Sequence, residues 1–199
     1  FIGTKLHYND VALASVARGA ELAKADLVTH MVYEFPGLQG IVGREYALQE
    51  GEGKTVAQAI FEHYLPRFAG DTLPASEAGI ALALADKFDA LVAAFSINLI
   101  PSGSQDPYGL RRQAQGIVEI ILRKNLDLSL KELLNRTYAI LRAQFIDAIP
   151  ADFTKVEPQL SDFIAQRLKN ILLEEGLRYD IADAAIANLD NIDRAFQTA

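Results

Sequence analysis

The most apolar region of the chain lies within residues 76–100, which read SEAGIALALADKFDALVAAFSINLI. Its large apolar side chains recur at steps of three and four residues, at Ile80, Leu84, Phe88, Leu91 and Phe95. This spacing predicts a helix over residues 76–97 with one wide apolar stripe facing a core. Charged residues at positions 86, 87 and 89 interrupt the region, which favours a buried helix of a soluble protein over a membrane span.

Helical periodicity also dominates on both sides of this segment, and no convincing alternating strand pattern occurs. Asn9 or Asp10 can cap the first helix, and Ser129 with Glu132 forms a capping box for a later one. We therefore predict an all-α protein of about eight or nine helices. Besides residues 76–97, the predicted helices cover residues 11–34, 38–49, 55–66, 107–124, 129–147, 158–175, 180–188 and 191–196.

The composition of the 199 residues is that of a packed globular protein, with 50% hydrophobic and 23% charged positions. This balance excludes a disordered chain. The chain has no cysteine, which excludes disulfides, thiolate metal sites and cysteine nucleophiles and suits a reducing cytosol. The N-terminus shows no targeting or membrane segment. We expect a cytoplasmic protein and, because the chain begins with Phe1 rather than Met, a fragment of a longer one.

The net charge of −7 argues against a protein that coats nucleic acid, because such proteins are usually basic. Residues 1–100 carry a balance of −5 and residues 101–199 a balance of −2. Any basic surface must therefore be a local patch, and the second half of the chain is the better place for it.

Two carboxylates, Asp86 and Asp89, lie three residues apart on the apolar helix. An unpaired buried carboxylate is costly, so at least one of them needs a partner. One interpretation is a metal or catalytic site. The other is that one carboxylate faces solvent while the other pairs with Lys87, Lys24 or a helix end.

Several short blocks resemble the second half of an HD-type metal-dependent phosphohydrolase: His63-Tyr64, Gly70-Asp71, Leu73-Pro74 and residues 85–91, ADKFDAL. In this resemblance Asp86 matches a ligand aspartate, and His63 and Asp26 match other positions of the site. Alanine, at position 25, replaces the histidine of the defining His-Asp pair. Since alanine offers no ligand, the resemblance implies the fold and argues against hydrolysis, with no metal bound and no catalytic residue.

A narrower resemblance covers residues 22–122 in ordered blocks. Residues 31–43 read MVYEFPGLQGIVG and residues 106–112 read DPYGLRR, and these strings resemble the beta subunit family of the bacterial two-subunit glycyl-tRNA synthetase. Residues 24–29, 46–47, 62–66 and 85–89 are similar to the same family. The resemblance implies an internal fragment, with a degenerate HD-like helical domain at residues 1–148 and the start of a C-terminal helical region, on the body and anticodon-binding side, at residues 149–199.

The family resemblance also implies a function. In that enzyme the alpha subunit activates glycine with ATP, and the beta subunit recognises tRNA-Gly and is needed for aminoacylation. The fragment is then a noncatalytic tRNA-recognition and architectural part of a ligase. Alone it is expected to be inactive and to hold no cofactor, although the whole enzyme uses ATP and Mg. Its expected partners are tRNA-Gly and the alpha subunit, without a membrane. The alternative is a divergent HD-type phosphohydrolase.

Four arginines are candidate tRNA contacts. Arg111 and Arg112 follow a polar loop at residues 98–107, and Arg44 and Arg67 lie near other helix breaks. Guanidinium groups suit phosphates and the RNA backbone. The alternative is that Arg111 or Arg112 pairs with a carboxylate, of Asp106 or Asp89, and holds the loop.

Overall fold

A computed structural model describes residues 1–103, 105–150, 152–187 and 189–199. This part of the chain contains helices and no β-strand, which confirms the all-α prediction. Two 3-10 turns occupy Ala25–Val28 and Pro36–Leu38. The α-helices are α1 (Ile2–Lys5), α2 (Asp10–Leu22), α3 (His30–Glu34), α4 (Ile41–Gln49), α5 (Lys54–Glu62), α6 (Glu77–Ser96), α7 (Leu110–Arg123), α8 (Leu130–Gln144), α9 (Val156–Glu174), α10 (Tyr179–Ile186) and α11 (Ile192–Gln197).

The chain forms two compact units, residues 1–86 and 87–199, and the boundary falls within α6. The division at residues 148 and 149, drawn from the family resemblance, stays a prediction. Position 188, the last residue of one predicted helix, and position 104, in the predicted polar loop, lie outside the described residues. No helix in the described ranges is both long and apolar enough to cross a membrane.

In the first unit, α5 packs against α2 and α4. Its buried face carries Val56, Ala57 and Ile60, which cluster with Ala47 of α4. Gly19 of α2 is buried, and a side chain there would contact Leu82 and Ala59 at 3.4 and 3.5 Å, so a small residue lets the helices approach closely. These helices form because their apolar residues recur on one face.

The predicted single helix over residues 11–34 is wrong. The structure ends α2 at Leu22, continues through the 3-10 turn Ala25–Val28 and begins α3 at His30. Lys24 adopts a left-handed backbone conformation with φ of 64°, which ends the helix. Thr29 then caps α3 by accepting the Val32 N–H at 3.3 Å. Periodicity detected the apolar residues but not the change of direction.

A buried carboxylate holds the N-terminal end of α6. Glu62 is 3% exposed, and its Oε2 accepts hydrogen bonds from the Ser76 N–H at 3.0 Å and the Ser76 hydroxyl at 2.5 Å. Ser76 in turn accepts the Gly79 N–H at 3.0 Å. A Cβ on Gly79 would lie 2.0 Å from Glu62 Oε2, so only glycine fits there. The chain from α5 to α6 is thereby fixed at both ends.

In the second unit, α9 packs against α7, α8, α10 and α11. Its buried residues include Leu160, Ile164 and Leu168. The Phe163 ring packs edge-on against Phe95 at 5.1 Å between centroids. The N-terminus of α8 is capped by Ser129, as the sequence predicts. The helix ends earlier than predicted, at Gln144. Helix α7 begins at Leu110, three residues later than predicted, because Asp106 accepts the Leu110 N–H there.

We predict that Glu62→Ala destabilises the protein by about 1.5–3 kcal/mol, because it leaves the Ser76 N–H and hydroxyl without their charged acceptor. The measurement is the free energy of unfolding in urea. Glu77→Ala is the control, because Glu77 is an exposed acidic residue in the first turn of the same helix, and it should cost at most about 1 kcal/mol. Equal effects of the two changes would contradict the account of Glu62.

Candidate nucleic-acid interface

Helix α7 begins at a carboxylate. Asp106 Oδ1 accepts the Leu110 N–H at 2.8 Å, and Oδ2 accepts the Arg111 N–H at 2.9 Å. Together they satisfy two of the N–H groups that a helix N-terminus leaves without intrahelical partners. The residues between fold back through Gly109, whose φ of 65° is left-handed. The helix therefore starts at Leu110 rather than at position 107.

The Arg111 side chain braces the preceding loop. Its Nη2 donates to the Gly103 carbonyl at 2.7 Å and its Nη1 to the Gln105 carbonyl at 3.2 Å. Arg111 therefore holds the loop, as the alternative in the sequence analysis expected. Its side chain donates to main-chain carbonyls, however, and not to a carboxylate. The Asp106 carboxylate accepts main-chain N–H groups instead.

Arg112 lies at the surface one residue further along α7. Within the described residues it has no ion-pair partner. Its guanidinium lies over Gly109, because a Cβ built on that glycine would be 2.7 Å from Arg112 Nη2. Gly109 is favoured for its left-handed backbone conformation, and its lack of a side chain leaves the space that the arginine occupies.

Arg167 of α9 belongs to the same cluster, and the sequence interpretation missed it. Its guanidinium stacks over the Phe163 ring at 3.7 Å and donates to the Phe163 carbonyl at 2.7 Å. Burial lowers the pKa of Arg167 from its ordinary value, the positive charge of Arg111 lowers it further, and Asp106 partly offsets both. The i, i+4 spacing of Phe163 and Arg167 is the one sequence signal that could have indicated a stacked arginine.

We call Arg111, Arg112 and Arg167 the arginine cluster, because Arg111 and Arg112 are adjacent on α7 and the charge of Arg111 acts on Arg167. The carboxylate among them, Asp106, already accepts two main-chain N–H groups. Tyr108 lies between Asp106 and Arg111 in the chain and is 61% exposed. The cluster therefore combines surplus positive charge with an exposed aromatic ring, which is the combination that binds phosphates and unpaired bases.

The other two predicted arginines lie in the first unit and already contact carboxylates. Arg67 Nε donates to Asp71 at 2.8 Å, and Arg44 Nε donates to Glu45 at 2.9 Å. The Arg44 guanidinium also lies 5.2 Å from the centroid of the Phe61 ring. No observation tests RNA contact by any of the four arginines, so all four stay predictions.

The positions that resemble an HD site are used structurally. Asp26 is 2% exposed and accepts the Gly40 N–H at 2.6 Å, at the N-terminal end of α4, and the Tyr64 hydroxyl at 3.3 Å. Burial raises the pKa of Tyr64, and the charge of Asp26 adds to this effect. Tyr64 therefore stays protonated and able to donate.

The remaining positions have partners of their own. Asp86 forms an ion pair with Lys24, which is one of the partners that the sequence analysis considered. Asp89 is exposed. The ring of His63 is fully buried, with Nδ1 2.6 Å from the Ile60 carbonyl. The described residues contain no group of three His, Asp or Glu side chains placed to hold a metal ion. This donor set does not fit the metal of an HD hydrolase, since alanine occupies the histidine position.

We predict that Asp26→Ala destabilises the protein more than Asp86→Ala does. The first change leaves the buried Gly40 N–H without an acceptor, which costs about 1–3 kcal/mol. The second removes an ion pair whose lysine is half exposed, worth at most about 1 kcal/mol. Urea denaturation of the two variants measures both values, and the reverse order would contradict the capping role of Asp26.

We also predict a pH dependence from Asp71. Its hydrogen bonds with Arg67 lower the pKa of Asp71 from 3.8 to about 2. Because the pKa in the folded state is depressed, the pair stabilises the fold above about pH 4, and this contribution is lost as the pH falls toward 2. The difference in unfolding free energy between the unchanged protein and Asp71→Asn should therefore shrink over this interval. A difference that stays constant down to pH 2 would contradict the ion pair.

Comparison with known proteins identifies the family. The family model for the glycyl-tRNA synthetase beta subunit matches residues 2–187. The chain is 51% identical over 185 residues to the glycine–tRNA ligase beta subunit of Desulforamulus reducens, covering 92% of this chain and 26% of that protein. It is 53% identical over 170 residues to that of Syntrophomonas wolfei, covering 85% of this chain and 24% of that protein.

The glycine–tRNA ligase beta subunit of Halalkalibacterium halodurans is 48% identical over 199 residues, which is 100% of this chain and 28% of that protein. The chain thus spans about a quarter of the length of the curated relatives it matches. The match to the family model extends over nearly all of the chain, and it confirms the resemblance carried by residues 31–43 and 106–112. The chain belongs to the glycyl-tRNA synthetase beta subunit family.

Proposed function

We propose that this chain is a noncatalytic tRNA-recognition and architectural part of a glycyl-tRNA synthetase beta subunit, and that it supports the ATP-dependent attachment of glycine to tRNA-Gly. The observation that carries the proposal is the family match over residues 2–187, together with relatives named as glycine–tRNA ligase beta subunits. The activity belongs to the whole ligase, and the fragment alone is proposed to be inactive.

The proposed partners follow from the same membership. A beta subunit implies an alpha subunit, and a glycine–tRNA ligase implies tRNA-Gly. In this proposal ATP and Mg are used elsewhere in the enzyme, and this chain supplies no residue to that chemistry. The proposed location is the cytoplasm, where tRNA is charged.

The arginine cluster supports the proposed contact with RNA. An RNA phosphate bound there would neutralise positive charge of the three arginines, because the single negative charge of Asp106 offsets only part of it. Arg112 is exposed and lies at the first turn of α7. Arg167 is held in place by the Phe163 ring, so little side-chain freedom would be lost on binding. Arg111 keeps the loop in place beside them.

The alternative, a divergent HD-type phosphohydrolase, is not favoured by the family membership. The geometry gives a physical reason. Hydrolysis by this class needs a metal that activates water, and Asp26 instead accepts a main-chain N–H, while Asp86 pairs with Lys24.

The proposal predicts that Arg112→Ala, made in the assembled two-subunit enzyme, weakens binding of tRNA-Gly and lowers the salt slope of binding by about 1. Arg167→Ala should weaken binding as well. The measurement is a binding titration at several salt concentrations, with a second tRNA for comparison. Melting of the Arg112 variant should stay unchanged, because that side chain has no ion-pair partner among the described residues.

A matched control is available at the other end of α7. Arg123 is also exposed and pairs with Glu175 at 3.0 Å, so Arg123→Ala removes the same charge away from the cluster. This variant should bind tRNA-Gly as the unchanged enzyme does. If Arg112→Ala and Arg123→Ala behave alike, the assignment of this cluster to RNA is wrong.

A further inference from the structure

The loop before α7 encloses a small pocket next to the arginine cluster. Its volume is about 170 Å³, and its wall includes the apolar side chains of Leu99, Ile100 and Tyr108. Gln105 and Asp106 place polar groups at its edge. These three residues are between 37% and 61% exposed, so the pocket opens to solvent and part of its wall there is apolar.

The size of the pocket restricts its ligand. Pockets that enclose drug-sized molecules measure about 300–1,000 Å³, so this one suits a single flat ring rather than a whole nucleotide or a peptide segment. Apolar walls favour the faces of such a ring. The Gln105 amide can donate to and accept from polar atoms on its edge, and the Asp106 carboxylate has lone pairs left beyond the two main-chain bonds.

The pocket is preformed by contacts within the loop. Arg111 binds the carbonyls of Gly103 and Gln105, and the Gln105 N–H donates to the Ser102 carbonyl at 3.0 Å. Asp106 fixes the loop to the start of α7. A ligand would therefore meet described residues that internal hydrogen bonds already hold in place, which lowers the entropic cost of binding.

The positive charge of Arg112 beside the pocket indicates which chemical group a bound ring carries. Tyr108 precedes Gly109, and the guanidinium of Arg112 lies over that glycine. A flat ring against Tyr108 would thus have a cation within the reach of one attached phosphate. A nucleobase with its backbone phosphate has this arrangement of an uncharged aromatic ring and an anion.

We propose that this pocket receives one unpaired nucleobase of the bound RNA, stacked on Tyr108, while Arg112 binds an adjacent phosphate. The inference rests on the proposed function, because it assumes that the arginine cluster contacts RNA. It adds that the site selects an unpaired nucleotide, since a base within a duplex has both faces covered by its neighbours.

The test uses the assembled two-subunit enzyme with tRNA-Gly and, separately, with a blunt-ended RNA duplex. Tyr108→Ala should weaken binding of tRNA-Gly by about 5- to 150-fold, the range expected for loss of one stacked base. The salt slope should stay unchanged, because no phosphate contact is removed. Binding of the duplex should not change. Tyr108→Phe should retain the affinity, since the ring remains.

Two further variants complete the design. Tyr33 is 79% exposed in the first unit, and Tyr33→Ala controls for loss of an exposed tyrosine. Tyr108→p-benzoylphenylalanine should cross-link on irradiation to one unpaired nucleotide of tRNA-Gly. If Tyr108→Ala lowers the melting temperature, its binding result is ambiguous. The cross-link then tests contact with an unpaired base independently of that variant.

The outcomes separate this inference from the proposed function. If Tyr108→Ala binds tRNA-Gly as the unchanged enzyme does, or if the cross-link maps to paired nucleotides, while Arg112→Ala still weakens binding, the base pocket is wrong and the RNA interface stands. If neither Arg112→Ala nor Tyr108→Ala weakens binding, both are wrong.

Discussion

The N–H groups at the start of a helix need acceptors, and at four helix starts of the described chain a carboxylate from outside the helix supplies one. Each carboxylate accepts at least one main-chain N–H at a helix start, and each fixes where the chain turns. They act at the starts of α4, α6, α7 and α8, and they are Asp26, Glu62, Asp106 and Asp190. An ionised acceptor at this end of a helix also interacts favourably with the helix dipole. Asp26 and Glu62 are the two most deeply buried of these carboxylates. Their burial is tolerated because each accepts hydrogen bonds from groups that would otherwise need water as a partner.

The same interaction explains how a position that resembles a metal ligand can lose that role without disrupting the fold. Asp26 sits on the 3-10 turn that follows α2, and its carboxylate reaches Gly40 and Tyr64 rather than an open space. Gly43 leaves room for it, because a Cβ there would lie 3.2 Å from Asp26 Oδ2. Once the histidine beside it is alanine, the carboxylate is more useful to the helix than to an ion. Removing it would leave a buried N–H without an acceptor, so the residue contributes to stability.

Contacts between residues close together in the chain could be predicted from the sequence, whereas contacts between distant residues could not. The cap of α8 by Ser129 involves residues three apart, and it was predicted. The bonds from Gly40 to Asp26 and from Ser76 to Glu62 join residues 14 positions apart, so no local pattern indicates them. The same limit applies to the arginine cluster. Arg111 and Arg112 follow a visible loop, whereas Arg167 joins them only because α9 packs against α7.

The first turn of α7 carries two positive charges where the helix dipole is already positive, and this arrangement calls for a reason. Each such charge costs about 0.3–1 kcal/mol unless it is compensated. Asp106 compensates the helix end, and the loop carbonyls compensate Arg111. Arg112 receives no such partner within the described residues. Arg167 adds a third cation, whose pKa is lowered by burial and further by the charge of Arg111. A local cost that the fold does not need is expected at a functional site, and it accords with the proposed RNA contact. In a chain with a net charge of −7, such a patch would also orient a polyanion, because the rest of the surface repels it.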